Sequence, residues 1–165
     1  MLPHPDKKEI SLDCAVITVS DTRTVDTDTS GKLIQQLLSN ANHHIVTYDI
    51  VRDEPQDIRQ YLVELDRIVD LDVIIFSGGT GIAPRDTTYD VISSWLEKTL
   101  PGFGEIFRYL SYQEIGSRAI ASRAIAGVKN NKILFSLPGS SNAVRLAVTE
   151  LILPEIAHLV RQLNN

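Results

Sequence analysis

The chain has 165 residues, of which 43% are hydrophobic and 22% charged, and this length and composition predict a single globular domain. Its net charge of −5 argues against nucleic-acid binding, and its single cysteine excludes an intrachain disulfide. No apolar stretch approaches the roughly 18 residues of a membrane span, and no signal core precedes the domain, so we expect a cytoplasmic protein without membrane contact. Residues 1–12 are expected to form a mobile tail before one domain over residues 13–165.

The first half of the chain alternates predicted strands with predicted helices. Asp13–Val19 is an apolar run typical of a buried strand, and a helix with one apolar face follows from about Ser30. His44–Val51 is the second predicted strand, and Pro55 suits the first turn of the next helix. A third apolar run begins at Val73 and ends in glycines. This alternation predicts a mostly parallel sheet that is covered by helices on both faces.

The second half continues the same pattern with different boundary signals. Thr87 is expected to cap a helix in an arrangement close to a capping box, and Pro101 is expected to end that helix. Ser140 or Ser141 should cap the closing helix. Between these points we predict one helix and two strands, over residues 104–112, 120–128 and 132–137.

The segment after the third predicted strand carries the most chemistry in the chain. The run Ser77-Gly78-Gly79-Thr80-Gly81 can bring bare backbone N–H groups and two hydroxyls against a ligand. Arg85 adds a guanidinium suited to phosphate, and Asp86 adds a carboxylate able to hold Mg²⁺. Ligands of open α/β sheets bind beyond the carboxyl ends of the strands, so we predict the floor of an anion or nucleotide pocket. The alternative is a simple strand-to-helix turn with a surface ion pair.

Other predicted strand ends also carry polar side chains. Asp21 and Asp53 follow the first and second strands, and right-handed crossovers bring such ends to one edge of the sheet. Both can therefore converge with Asp86, although Asp21 can equally cap its own turn. Arg85 can likewise either bind phosphate or orient Asp86. A further loop, Pro138-Gly139-Ser140, opens a helix and offers its N–H groups to an anion.

Six motifs in order along the chain resemble those of the MoaB/MogA family of molybdenum-cofactor biosynthesis proteins, with spacing closer to MoaB. The resemblance implies a three-layer α/β/α fold with a mostly parallel central sheet. It also implies molybdopterin binding, a homo-oligomer (trimer or hexamer), and contact with other proteins of the molybdenum-cofactor pathway. The matching motifs are Val19-Ser20-Asp21-Thr22-Arg23, Asp28-Thr29-Ser30-Gly31, Ser77 to Gly81 with Arg85-Asp86, Pro101-Gly102-Phe103-Gly104-Glu105, Ser122-Arg123-Ala124 with Gly127, and Leu137-Pro138-Gly139-Ser140.

The family's activity, where present, is adenylylation of molybdopterin with Mg-ATP, which releases pyrophosphate. By resemblance, Asp53 and Asp86 are the catalytic pair and the Mg²⁺ ligands. The resemblance leaves the roles of Glu105, Arg108 and Arg123 open. The expected substrate and nucleotide contacts are Ser20, Asp21, Ser77, Gly78, Gly79, Thr80, Gly81, Arg85, Pro138, Gly139 and Ser140.

Two other functions compete with the adenylyltransferase. One is a non-catalytic molybdopterin-binding or scaffold protein of the same pathway, and the other is a nucleotide pyrophosphatase like the competence-damage proteins. The presence of both Asp53 and Asp86 favours the enzyme, since a pure binder gains nothing from two acids beside phosphates. Arg52 and Tyr89 stand where the family often has proline, which loosens the loops without removing chemical groups. Helices bearing Trp95, Phe103, Phe107 and Tyr109 predict an apolar surface for a three-fold homo-oligomer.

Overall fold

The structure is a computed structural model that describes residues 10–164. Within these residues, a six-stranded sheet in the order β2-β1-β3-β6-β5-β4 forms the middle of the molecule. Strands β2, β1, β3 and β6 run parallel; β5 pairs antiparallel with β6, and the edge strand β4 pairs antiparallel with β5. The strands are β1 Asp13–Val19, β2 His44–Val51, β3 Val73–Ser77, β4 Lys98–Thr99, β5 Ile125–Lys129 and β6 Lys132–Leu137.

Helices cover both faces of this sheet. The regular helices are α1 Thr29–Asn40, α2 Pro55–Asp66, α3 Thr88–Trp95, α4 Pro101–Ile115, α5 Ser141–Ala147 and α6 Leu153–Leu163. A 3₁₀ helix, Gly116–Ala121, follows α4, and a π-helical turn, Val148–Ile152, joins α5 to α6. Within residues 10–164, no helix has both the length and the apolar character needed to cross a membrane.

The two core layers follow from the alternation of side chains along the strands. In β1, Cys14 and Val16 point to a cluster that α1, α4, α5 and α6 complete. Ala15 and Ile17 point to the opposite cluster, which α2 and α3 complete. Successive strand residues face opposite sides, so an unbroken apolar strand requires a helical layer on each side. The expected three-layer α/β/α fold with a mostly parallel sheet is therefore confirmed.

The helix starts follow from residues suited to those positions. Asp28 caps α1 by accepting a hydrogen bond from the backbone N–H of Gly31 at 2.9 Å. Pro55 occupies the first turn of α2. A backbone N–H in that turn has no acceptor within the helix, so proline, which lacks the N–H, costs no hydrogen bond there. Ser140 caps α5 through a bond from the N–H of Ala143 at 3.3 Å.

The structure departs from the prediction at two element boundaries and at one capping bond, although Thr87 is the N-cap residue of α3 as predicted. Pro101 does not end α3, which stops at Trp95; it opens α4, a position where proline is equally well suited. Thr87 forms no capping bond, because its hydroxyl donates to Asp53 instead. The strand expected over residues 120–128 begins only at Ile125, and Ile120 lies in the 3₁₀ helix with 89% of its surface exposed.

The hydrophobic core includes a residue from before the predicted domain boundary. Leu12, which we assigned to the tail, is 2% exposed and belongs to the core. Its backbone carbonyl accepts a bond from the N–H of His44, which extends the contact between the first two strands. Residues 1–9 of the expected tail lie outside the described residues.

Candidate functional site

The glycine loop (residues 77–81) turns sharply at the carboxyl end of β3, between β1 and β6. Gly78 and Gly79 have φ values of 105° and 65°, which residues with side chains rarely adopt. A Cβ atom on Gly78 would overlap the carbonyl oxygen of Val19, so β1 passes directly against the loop. The turn therefore depends on glycine for both its dihedral angles and its close packing.

The two carboxylates predicted to be catalytic flank this loop. A Cβ atom on Gly79 would lie 2.8 Å from Oδ2 of Asp53, and one on Gly81 would lie 2.6 Å from Oδ2 of Asp86. Asp53 is held by Thr87, whose hydroxyl and backbone N–H donate to Oδ1 at 3.0 and 3.3 Å. The structure thus brings both acids to the loop, as expected from the strand topology.

Burial and neighbouring negative charges both raise the pKa of Asp53. Burial raises the pKa of its carboxyl group, hydrogen bonds from Thr87 oppose that effect, and the charges of Asp86 and Asp21 raise the pKa further. Three carboxylates therefore influence one another at this edge of the sheet. A cation between them would relieve their repulsion.

The contacts of Arg85 and Asp21 decide between the alternatives that the sequence left open for these two residues. Its guanidinium pairs with Asp21, at 2.6 Å from Nε, and with Glu54 at 3.2 Å, so it does not orient Asp86. Asp21 does not cap its own turn, because its second oxygen accepts from the N–H of Asp53 at 3.2 Å. The hydrogen bond from Arg85 holds the pKa of the Asp21 carboxyl below its usual range.

The hydroxyl groups of Ser20 and Ser77 contact neighbouring parts of the protein. The Ser20 hydroxyl accepts bonds from the N–H groups of Thr22 and Arg23, which shapes the turn after β1. Ser77 is fully buried, and its hydroxyl lies 3.5 Å from that of Thr18. In this conformation neither serine lines the cleft that the glycines border.

The Pro138 loop (residues 138–140) packs directly on the glycine loop. A Cβ atom on Gly139 would lie 3.2 Å from the Cα atom of Gly78, so the two backbones are in contact. The carbonyl of Gly139 accepts bonds from the Ser30 hydroxyl at 2.7 Å and from Nη2 of Arg23 at 3.1 Å. Residues of the first helix and its preceding loop therefore fix the second loop.

Asp28 is the centre of this supporting network. The sequence identified it only as part of a motif and did not indicate this role. Its buried carboxylate accepts bonds from Thr18 at 2.6 Å, Tyr48 at 2.7 Å and Arg23 at 3.2 Å. Burial alone would raise the pKa of Asp28, but these bonds and the one from Gly31 hold that pKa below its usual range. The carboxylate stays charged and orients Arg23 toward the Pro138 loop.

A cleft of about 360 Å³ opens above the two loops. Its far wall is formed by α4 and the 3₁₀ helix, which sequence reasoning did not connect with the site. The spacing of Phe107, Ser111 and Ile115 places them on one helix face, and that pattern was the available signal. The lining residues are Gly78, Gly79, Thr80, Gly81, Asp86, Phe107, Ser111, Ile115, Arg118, Ala119, Ala121, Ser122, Pro138, Gly139, Ser140 and Ala143.

A smaller depression of about 290 Å³ is lined by residues of the connections that follow β2 and β3. Asp53 and Arg85 line it, whereas Asp86 lines the main cleft. The two predicted catalytic acids therefore open onto different recesses. The depression is lined by Asp53, Glu54, Pro55, Pro84, Arg85 and Thr87.

The donor groups beside the glycine loop fit a magnesium ion that arrives with a phosphate ligand. Within residues 10–164, no three His, Cys, Asp or Glu side chains lie close enough to hold a metal ion on their own. Mg²⁺ is usually held by one or two carboxylates together with substrate phosphates and water. Asp53 and Asp86 supply two carboxylates, and the buried Thr88 hydroxyl beside Gly79 has no hydrogen-bond partner in the described structure.

A mostly parallel sheet covered on both faces, with backbone-lined loops at its carboxyl edge, is typical of the α/β proteins in which ligands bind at that edge. Residues 15–158 match the family described as "Probable molybdopterin binding domain". The chain is 50% identical over 161 residues to Molybdenum cofactor biosynthesis protein B of Halalkalibacterium halodurans, covering 97% of this chain and 95% of that protein. It is 53% identical over 151 residues to the protein of the same name from Bacillus subtilis, covering 91% and 89%.

A crystal structure of Molybdenum cofactor biosynthesis protein B superposes on this fold with a TM-score of 0.93 and 46% identity, over 96% of this chain and 99% of that chain. The chain therefore belongs to the molybdopterin-binding family of molybdenum-cofactor biosynthesis proteins, and it is similar to the B type within that family.

Proposed function

We propose that the protein binds molybdopterin in the 360 Å³ cleft and adenylylates it with Mg-ATP, releasing pyrophosphate. The observation that carries this proposal is the placement of Asp53 and Asp86 on either side of the glycine loop, each opening onto its own recess. Two recesses lined by neighbouring residues of the segment 78–87 suit two anionic substrates that must react with each other. Family membership supports the pterin as one of them.

The main cleft has the chemistry expected of a pterin phosphate site. Phe107 and Ile115 offer an apolar wall for a flat ring, and Arg118 is a cation at the same wall. The Ser140 end of α5 and the loop from Gly79 to Gly81 offer backbone N–H groups, which bind phosphate without a side-chain charge, whereas the N–H of Gly78 donates to the carbonyl of Leu137. The pterin ring would lie against the helical wall and its phosphate against the loops.

The smaller depression is the proposed nucleotide recess. Arg85 lines it and can exchange its exposed partners Asp21 and Glu54 for phosphate oxygens. In the proposed reaction, an oxygen of the pterin phosphate forms a bond to the α-phosphorus of ATP. The bond from that phosphorus to the β-phosphate oxygen breaks, and pyrophosphate leaves with the electron pair.

The protein contributes alignment and charge compensation more than covalent chemistry, because phosphate already carries a competent nucleophile. The loop N–H groups and Arg85 offset the negative charge of the two substrates as they approach. Asp53 and Asp86 would hold Mg²⁺, and the ion, when bound, neutralises charge on the phosphate oxygens.

The paired acids also separate this proposal from a protein that only binds molybdopterin. A carboxylate 4 Å from a phosphate charge, at an effective dielectric near 20, is repelled by about 4 kcal/mol unless a cation lies between them. A binder or scaffold would bind its anion more tightly without Asp86. An enzyme needs the carboxylate for the cation.

The decisive experiment incubates the purified protein with molybdopterin, ATP and Mg²⁺ and measures adenylyl-molybdopterin and pyrophosphate. We expect both products from the wild type, and neither from Asp86→Asn, which should still bind molybdopterin. Equal or tighter pterin binding by the variant, with no turnover by either protein, would identify a binding protein. Turnover that persists in Asp86→Asn would remove Asp86 from the mechanism.

We further propose that the protein acts as a cytoplasmic homo-oligomer, a trimer or hexamer. The surface that supports oligomerisation differs from the predicted one, because Phe107 is buried and Phe103 and Trp95 pack against the core, so only Tyr109 of the predicted group is exposed. The exposed large apolar side chains of α4 and the 3₁₀ helix, which we call the α4 patch, are Ile106, Tyr109, Tyr112, Ile115 and Ile120.

A further inference from the structure

Arg123 reaches the active-site region from outside it. It lies in the connection between the 3₁₀ helix and β5, yet its side chain contacts both ends of the Asp86 loop (residues 81–86). Nε donates to the carbonyl of Gly81 at 2.9 Å, and Nη2 donates to the carbonyl of Asp86 at 2.9 Å. One guanidinium therefore fixes the distance between the start and the end of this loop.

The same guanidinium is itself held in place on its remaining sides. Nη1 donates to both carboxylate oxygens of Asp90 at 3.1 Å, and the guanidinium lies 4.8 Å from the centre of the Tyr89 ring. Both partners belong to α3, which follows the loop. Only a planar group with donors on several edges can make these contacts at once, and lysine cannot.

The Asp86 loop has little other support. Ile82 is 76% exposed, and the internal bonds run only between Ala83 and Asp86, from backbone to backbone and from the Ala83 N–H to the Asp86 carboxylate. Arg85 tethers the loop through exposed ion pairs, which water and salt weaken. Of the contacts that residues 81–86 themselves make with the rest of the domain, those of Arg123 are partly buried; just beyond the loop, Thr87 is bonded to Asp53.

We propose that Arg123 is a positioning residue that holds the Asp86 carboxylate at the glycine loop. This inference rests on the proposed function, because it assigns Arg123 a role in placing the carboxylate that would hold Mg²⁺. Arg123 acts through the backbone carbonyl of Asp86 and lines neither the main cleft nor the smaller depression. The competing explanation is that Arg123 stabilises the fold alone by joining β5 to α3.

The test compares Arg123→Lys with two matched variants. Arg108→Lys alters a guanidinium that bonds the carbonyls of Ser122 and Ala124 on either side of Arg123, without touching the loop. Asp90→Asn weakens the outer ion pair and leaves both loop carbonyls bonded. Each variant is measured for melting temperature, hydrogen exchange of residues 82–86, and the Mg²⁺ concentration that gives half-maximal adenylylation.

We expect faster exchange at residues 82–86 in Arg123→Lys, and a half-maximal Mg²⁺ concentration raised about 10- to 100-fold, the usual effect of losing a supporting contact at a metal ligand. Arg108→Lys and Asp90→Asn should keep wild-type values of both, even where their melting temperatures fall. Unchanged loop exchange in Arg123→Lys, or equal loop exchange in Arg108→Lys, would overturn the positioning role.

Two further outcomes are distinguishable. If the wild type binds molybdopterin but gives no product, the proposed function fails, while loop exchange still decides whether Arg123 positions Asp86. If Arg123→Lys does not fold, exchange of the Arg123 Nε–H is measured in wild-type protein by NMR. Slow exchange with water is expected for a proton bonded to Gly81, and exchange as fast as that of an exposed arginine would contradict the proposal.

Discussion

Asp86 lies against the glycine loop because Gly81, five residues before it, has no side chain. Any Cβ atom at that position would lie 2.6 Å from the carboxylate. Gly79, which also has no side chain, leaves the corresponding space for Asp53. At the scale of single residues, the site is therefore built from pairs in which a glycine provides the space that an acid occupies.

Replacement of Gly79 by alanine tests this pairing. The new methyl group would meet the Thr88 hydroxyl and Oδ2 of Asp53, and the positive φ would strain the backbone by about 1–3 kcal/mol. Gly116→Ala is the matched control, since Gly116 also has a positive φ, 64°, but open space around it. We expect both variants to lose stability in urea titrations, and only Gly79→Ala to lose affinity for molybdopterin and ATP by calorimetry. Equal affinities in the two variants would show that the loop has only a structural role.

Asp53 should make the stability of the protein depend on pH in a defined direction. Burial and neighbouring carboxylates raise its pKa, so the folded chain disfavours the ionised form. Asp53→Asn should therefore raise the free energy of unfolding at pH 7 in the absence of divalent cations. The gain should shrink as pH falls through the raised pKa and disappear below about 4, where the carboxyl group is protonated in the unfolded chain as well.

Urea titrations of the wild type and Asp53→Asn between pH 7 and pH 4 measure this effect. Asp70→Asn, at an exposed carboxylate after α2, is the control and should show no such gain. A variant less stable than the wild type at pH 7 would mean that the charge of Asp53 is compensated within the folded chain.

At the scale of elements, the sequence predicts the sheet better than the site. β1, β2 and β6 have the predicted bounds because clear turn residues stand beside each of them, and because β1 and β6 are also largely apolar runs. Pro101 misleads because proline is suited both to ending a helix and to beginning one, and the choice depends on tertiary packing. The wall that α4 gives to the cleft was missed for the same reason, since helical periodicity shows which residues share a face but not what that face contacts.

Asp28 connects α1, β1 and β2 to the Pro138 loop, so its loss should affect both stability and binding. Asp28→Ala removes the acceptor for Thr18 and Tyr48 and leaves Arg23 without its ion pair. We expect the free energy of unfolding to fall by about 3 kcal/mol or more, because buried polar groups lose their partner. Asp26→Ala, at an exposed carboxylate in the same loop, should change stability by less than about 0.5 kcal/mol.

Denaturant titration and molybdopterin calorimetry of these two variants provide the measurement. A loss of pterin affinity in folded Asp28→Ala is expected, because Arg23 no longer fixes the carbonyl of Gly139. Unchanged stability in Asp28→Ala would mean that water replaces the lost acceptor.

At the scale of the whole molecule, the α4 patch predicts self-association. Five large apolar side chains exposed on one helix and the 3₁₀ helix after it are typical of a surface that another subunit covers. Tyr109→Glu combined with Ile120→Glu should give a monomer by light scattering at micromolar concentration. Val69→Glu is the control, because Val69 is 87% exposed but lies after α2, outside the patch. A wild-type monomer under the same conditions would contradict the proposed oligomer.

The contact between Gly78 and Gly139 has a consequence for how this cleft can change in evolution or by engineering. Its floor is peptide backbone from two neighbouring strand ends, so most side-chain substitutions leave its hydrogen-bonding groups untouched. If the cleft binds molybdopterin as proposed, such a floor holds the phosphate but does not discriminate between the molecules that carry one. Discrimination would then come from α4 and the 3₁₀ helix, and variation at Ser111, Ile115 or Arg118 would alter which ring system is accepted without changing the backbone groups of the floor.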